Sequence, residues 1–87
     1  MHLNGTYVFK LKKSEGADGD LSYKASLEKG EMTVYYDSLG TKEPLFTVKS
    51  GESVDSRGGY VNQGTRVYVI IEARDAEGSL EVRLNNQ

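Results

Sequence analysis

A period-two alternation of side-chain character recurs in four separate segments of this chain and limits what it can fold into more than any other feature. Tyr7, Phe9 and Leu11 alternate with Val8, Lys10 and Lys12, and Leu21, Tyr23, Ala25 and Leu27 alternate with Ser22, Lys24, Ser26 and Glu28. Met32, Val34 and Tyr36 alternate with Thr33, Tyr35 and Asp37, and Leu80, Val82 and Leu84 alternate with Glu81 and Arg83. Successive side chains of a β-strand point to opposite faces, so each run presents one apolar face and one wet face. The segment from Leu21 to Lys29 also carries helix signals, with Asp20 as a cap and Gly30 as a stop. On a helix, however, residues 21, 23, 25 and 27 fall on two opposing sides, whereas on a strand they share one, and the strand is the better fit.

Two segments follow other patterns. Leu45–Val48 comes directly after Pro44, the only proline, which a strand tolerates at its start because the missing N–H need not pair. Val67–Ile71 is apolar on both faces, with Tyr68 and Ile70 opposite Val67, Val69 and Ile71. Such a strand is central and covered on both sides, or its second face is a binding surface. Glycines punctuate the pattern: Gly30, Gly40, Gly51 and Gly64 stand where strands are expected to end, Gly58-Gly59 break the chain before Tyr60, and Asp75-Ala76-Glu77-Gly78 reads as a hairpin turn.

The chain has 87 residues, which suits one domain spanning 1–87 and one modest core. Short strands with turn signals between them predict an all-β fold, an antiparallel β-sandwich of jelly-roll type with seven or eight strands. Its predicted core is Tyr7, Phe9, Leu11, Leu21, Tyr23, Leu27, Met32, Val34, Tyr36, Phe46, Val48, Val67, Val69, Ile71, Leu80, Val82 and Leu84. The closing Asn85-Asn86-Gln87 is expected to fray.

Charge and reactive-residue content argue against several functions. Eleven basic and thirteen acidic residues give a net charge of −2, and Lys10, Lys12 and Lys13 form the densest basic stretch, too sparse for a nucleic-acid footprint. With no cysteine there is no disulfide framework, thiolate nucleophile or Cys-based zinc site. No stretch approaches the ~18 apolar residues of a membrane-spanning helix, and the first residues show no leader pattern, which predicts either no export or a start beyond the leader. The single histidine, His2, sits at the end of the chain, and the glutamates are scattered over predicted wet faces, so neither a nucleophile–base pair nor a carboxylate pair across a cleft is indicated. No catalytic residue, metal site or cofactor is therefore assigned. Asp18-Gly19-Asp20, with Glu15 nearby, offers oxygen ligands of the kind calcium prefers, but the sixth position from Asp18 is Tyr23, so an Asp/Gly turn is the expected reading.

Tyrosine carries what functional signal there is: six Tyr and no Trp. Tyr7, Tyr23 and Tyr36 fall on predicted inner faces. Tyr35 and Tyr68 fall on the opposite faces and Tyr60 lies near a loop, and these three are the candidate ligand-binding residues, able to stack on a sugar ring or to anchor a protein. Cross-strand packing alone would also account for them.

The stretch Met32-Thr33-Val34-Tyr35-Tyr36-Asp37-Ser38-Leu39-Gly40 resembles the tyrosine-rich central strand of bacterial pre-peptidase C-terminal domains. Tyr60-Val61-Asn62-Gln63-Gly64-Thr65-Arg66-Val67-Tyr68-Val69 resembles that family's penultimate strand, and Gly78-Ser79-Leu80-Glu81-Val82-Arg83-Leu84 its closing strand. Tyr7-Val8-Phe9-Lys10-Leu11 suits its first strand. The family's Asp-x-Asp ahead of the central strand is replaced by Glu31-Met32-Thr33, which puts its calcium role in doubt here. The resemblance implies a non-catalytic accessory domain of a secreted or lipid-anchored bacterial protein. Together these readings predict an extracytoplasmic binding module that recognises a protein or glycan surface. The alternatives are a structural domain that self-associates through an exposed edge or through the second face of Val67–Ile71, a carbohydrate-binding module using the exposed tyrosines, and, last, a small enzyme.

Overall fold

The structure, a computed structural model, describes residues 1–11, 19–37, 40–61 and 67–86. They form five strands: β1 (His2–Leu11), β2 (Gly19–Asp37), β3 (Lys42–Lys49), β4 (Ser53–Val61) and β5 (Val67–Asn86). Every pairing is antiparallel. The order is β1-β5-β2-β3, with β4 also paired to β2. No helix occurs among the described residues, so none is long and apolar enough to cross a membrane.

The all-β expectation holds, and Leu21–Lys29 is strand. The strand count differs: five appear where the alternation predicts the seven or eight of a jelly roll, because β2 and β5 each run through positions that read as breaks. β2 has 19 residues and β5 has 20. A straight 19-residue strand would span roughly 63 Å at ~3.3 Å per residue, yet the longest dimension of the molecule is 40 Å. Both strands therefore bend. The bend lies at Gly30 (φ +79°) on β2 and at Asp75 (φ +46°) and Gly78 (φ +155°) on β5, and the register shifts at these same points. A Cβ on Gly30 would stand 2.2 Å from the Asp75 carbonyl oxygen, and one on Gly78 would stand 2.0 Å from that of Ser26, so the two strands cross the fold in close backbone contact. The expected hairpin at 75–78 is thus a bend inside β5, Gly30 is a bend inside β2, and Gly58-Gly59 lie within β4. The chain end is paired as far as Asn86, with the Asn85 amide donating to Ser22 Oγ at 2.6 Å.

Bending gives the sheet two halves. In one, β1, residues 67–74 of β5, residues 31–37 of β2, and β3 lie side by side. In the other, residues 78–86 of β5, residues 19–27 of β2, and β4 do so. Their apolar faces meet. Ala25 and Leu27 of the three-stranded half bury against Met32, Val34, Val48, Val69 and Ile71 of the four-stranded half, and Leu80 and Val82 pack on the same cluster. Leu21 and Val67 close the far end. Two expectations for the core change. Ala76, assigned to a turn, is fully buried at the bend, and Phe9, assigned to the core, is 52% exposed. Phe9 does face inward with Val69, but β1 is the outermost strand of the four-stranded half and the shorter half does not extend over it.

A candidate binding face

The outward surface of the four-stranded half assembles itself from the strand alternation. Residues directly opposite in paired strands share a face, so Val8, Ile70, Tyr35 and Pro44 form one row across β1, β5, β2 and β3. Lys10, Tyr68, Asp37 and Lys42 form the next row, and Thr6, Glu72, Thr33 and Thr47 the row on the other side. Among the described residues no strand covers this face. Val8 is 60% exposed, and Tyr35, Tyr68 and Ile70 are half-buried.

The structure therefore brings two of the three expected binding residues together. Tyr35 lies opposite Ile70 and Tyr68 opposite Asp37, which makes the two tyrosines diagonal neighbours on adjoining strands. Tyr60 is not with them. Its backbone is opposite Asp20 in the other half of the sheet, and its side chain lies outside the described residues. Tyr7, Tyr23 and Tyr36 face inward as expected. Tyr23 stacks on Phe46, and Tyr7 Oη exchanges hydrogen bonds with the backbone of Asn4.

Lys42 was not a sequence candidate, yet it organises the face. Its Nζ sits 4.2 Å from the centroid of the Tyr35 ring and donates to Glu72 Oε2 at 2.9 Å. The ammonium thus spans diagonally from its own row, over Tyr35, to the row beyond. The Glu72 carboxylate, first by its hydrogen bond, raises the Lys42 pKa, while partial desolvation opposes this. Arg74 with Glu31 at 3.6 Å, and Thr33 Oγ1 with Thr47 Oγ1 at 3.2 Å, continue a polar margin around the apolar row. Its placement depends on a bulge between Val34 and Tyr35, which moves Pro44 opposite Tyr35 and Lys42 opposite Asp37. No local pattern marks such a register shift. The two-sided apolar run Val67–Ile71 does foreshadow Ile70, and the alternation places Tyr35 and Tyr68 on the outward side.

Asp20, a calcium candidate, is paired with Arg57 Nε across β2 and β4 at 2.5 Å. Arg57 is the main reason the Asp20 carboxyl is held below its ordinary pKa, against the opposing effect of burial and with help from Asn85. A carboxylate already matched to a guanidinium is poorly placed to serve a cation. Asp18 and Glu15 lie outside the described residues. Among the described residues no group of His, Cys, Asp and Glu is arranged to hold a metal.

Comparison with known proteins finds no match: no family model fits the chain, and no curated protein or solved structure aligns with it.

Proposed function

We propose that this protein is a non-catalytic binding module that recognises a protein surface through the outward face of its four-stranded half. The observation that carries the reading is the alignment of Val8, Ile70 and Tyr35 in one row, with Tyr68 beside it and a charged margin of Lys10, Asp37, Glu72 and Arg74. An apolar and aromatic centre with a polar rim is the anatomy of a protein contact. A sugar ring stacks on an open aromatic face, and the Lys42 ammonium already occupies one face of Tyr35, which favours a protein over a glycan. In this reading the bent sheet works as a compact two-layer sandwich, a rigid support that holds the tyrosines at fixed spacing. The extracytoplasmic placement rests on the resemblance of its strands to accessory domains of secreted bacterial proteins.

The test compares the wild-type protein with a Tyr35→Ala/Tyr68→Ala variant that keeps the wild-type melting profile. Both are immobilised and exposed to envelope extract and, separately, to a panel of polysaccharides. A protein retained by the wild type and lost from the variant is the expected result. Equal retention by both, or retention of polysaccharide alone, overturns it.

A further inference from the structure

The two halves of the sheet are unequal, four strands over three, and the deficit lies at one edge. β1 pairs with β5 only as far as the His2–Glu77 position, and the Gly78 N–H donates to the Met1 carbonyl. Beyond that point, among the described residues, no strand pairs with the outer edge of β5. The direction of its backbone groups follows from Leu27. The Leu27 N–H donates to the Glu52 carbonyl and its own carbonyl accepts from the Gly51 N–H, so Leu27 faces away from β5. Gly78, its opposite number, must then face away from β2. The register is unbroken from Gly78 to Asn86, and backbone direction alternates along an antiparallel strand. Leu80, Val82 and Leu84 therefore point their N–H and C=O groups outward. An apolar groove of about 420 Å³ runs beside this edge, lined chiefly by Leu3, Phe9, Val69, Ile71, Leu80 and Val82.

The geometry points to a second copy of this chain as the occupant, paired antiparallel through residues 79–85 of β5 about a two-fold axis at Val82. The sequence of the edge is self-complementary about that residue. Val82 meets Val82 of the second copy, Leu80 meets Leu84 on the inner face, and Glu81 meets Arg83 on the outer face, with Ser79 opposite Asn85. Opposite charges face each other at both symmetry-related positions, and no like charges do; cross-strand pairs of opposite charge favour pairing and like pairs oppose it. An isologous contact of this kind closes as a dimer and does not propagate. Two guards against pairing are absent from residues 79–85, which have no proline and no inward-pointing charge. Pairing supplies the fourth strand of the short half and extends apolar cover over Phe9 and Leu3. The pairing edge belongs to the three-stranded half and the binding face to the four-stranded half, so each can be altered without the other.

Sedimentation velocity of the full chain over a concentration series up to about 1 mM, a range in which even weak pairing is populated, provides the test. The wild type is expected to dimerise. Glu81→Arg and Arg83→Glu, at positions whose side chains are 52% and 74% exposed, are each expected to weaken the dimer about tenfold or more. Glu81→Arg combined with Arg83→Glu restores the opposite-charge pairing and is expected to return the dissociation constant to near the wild-type value. A wild type that stays monomeric throughout, single variants that dimerise as well as the wild type, or a double variant that fails to recover would each overturn the proposal.

Discussion

The rings of Tyr23 and Phe46 stack in parallel, with centroids 4.6 Å apart and planes inclined by 10°. Tyr23 belongs to the three-stranded half and Phe46 to the four-stranded half, so this contact fastens one half of the bent sheet to the other away from the bend itself. The two residues are 23 positions apart in sequence and on strands that pair with each other only elsewhere, between Glu31 and Asp37. Tyr23→Ala is expected to lower stability by about 2–3 kcal/mol, as truncation of a half-buried aromatic at a packed contact does. Tyr23→Phe, which keeps the ring, is expected to cost under about 1 kcal/mol. Urea unfolding of the two variants distinguishes a stacking role from a role for the hydroxyl.

The bend depends on backbone that no other residue can supply at Gly30. Its φ is +79° and an added Cβ would collide with the Asp75 carbonyl. Gly30→Ala is expected to destabilise by about 3 kcal/mol or more, because strain and steric overlap add. Gly40 has nearly the same φ, +82°, but open space around it, so Gly40→Ala is expected to cost only about 1 kcal/mol. The difference between the two in chemical denaturation isolates the close crossing of β2 and β5 from the conformational cost alone.

Stability should respond to acid through Asp20. The folded-state pKa of its carboxyl lies below the ordinary value because Arg57 holds the charged form. A carboxylate with a depressed pKa contributes stability that is present above the unfolded pKa and is lost as the pH falls through the folded one. The contribution is therefore constant at neutral pH and declines below about pH 4. Asp20→Asn is expected to flatten the acid limb of a plot of melting temperature against pH, while the wild type falls on that limb. Parallel acid limbs for the two proteins would show that Asp20 is not the responsible group.

Lys42 over Tyr35 is exposed, and its worth should be small. The Lys42 and Glu72 side chains are 47% and 40% exposed, so solvent screens the pair. Lys42→Ala is expected to leave stability nearly unchanged, and any loss should shrink further in high salt. Thermal melts at low and high ionic strength check this. A large drop in melting temperature that persists in high salt would mean that Lys42 is structural and not a removable cover on the ring.

The fold class was legible because a period of two has one physical meaning: in an extended chain, alternate side chains share a side, whatever else the chain does. That reasoning placed Leu21, Leu27, Met32, Val34, Val48, Val67, Val69 and Ile71 on the buried side, where all of them are. It also placed Tyr35 and Tyr68 on the outward side. It could not distinguish a glycine that ends a strand from one that bends it. Gly30, Gly58 and Gly78 look alike in sequence, and only the partner strand determines whether the ladder continues past them. Ala76 was missed for the same reason, since a small residue between Asp75 and Gly78 reads as a turn until its neighbours are seen to enclose it.

The candidate face shows the same division. Residue order was enough to establish that the chain is all-β, which side of each run is apolar, and that Val67–Ile71 has an apolar second face. Only the pairing of distant strands puts Tyr35, Tyr68, Ile70 and Val8 on one surface, sets the Tyr60 backbone in the other half of the sheet, and lays Lys42 over Tyr35. Alternation is a property of neighbouring residues and is written locally. Strand order, register and bulges arise from which distant segments pair, and they are chosen by the free energy of the whole sheet as it folds over its core.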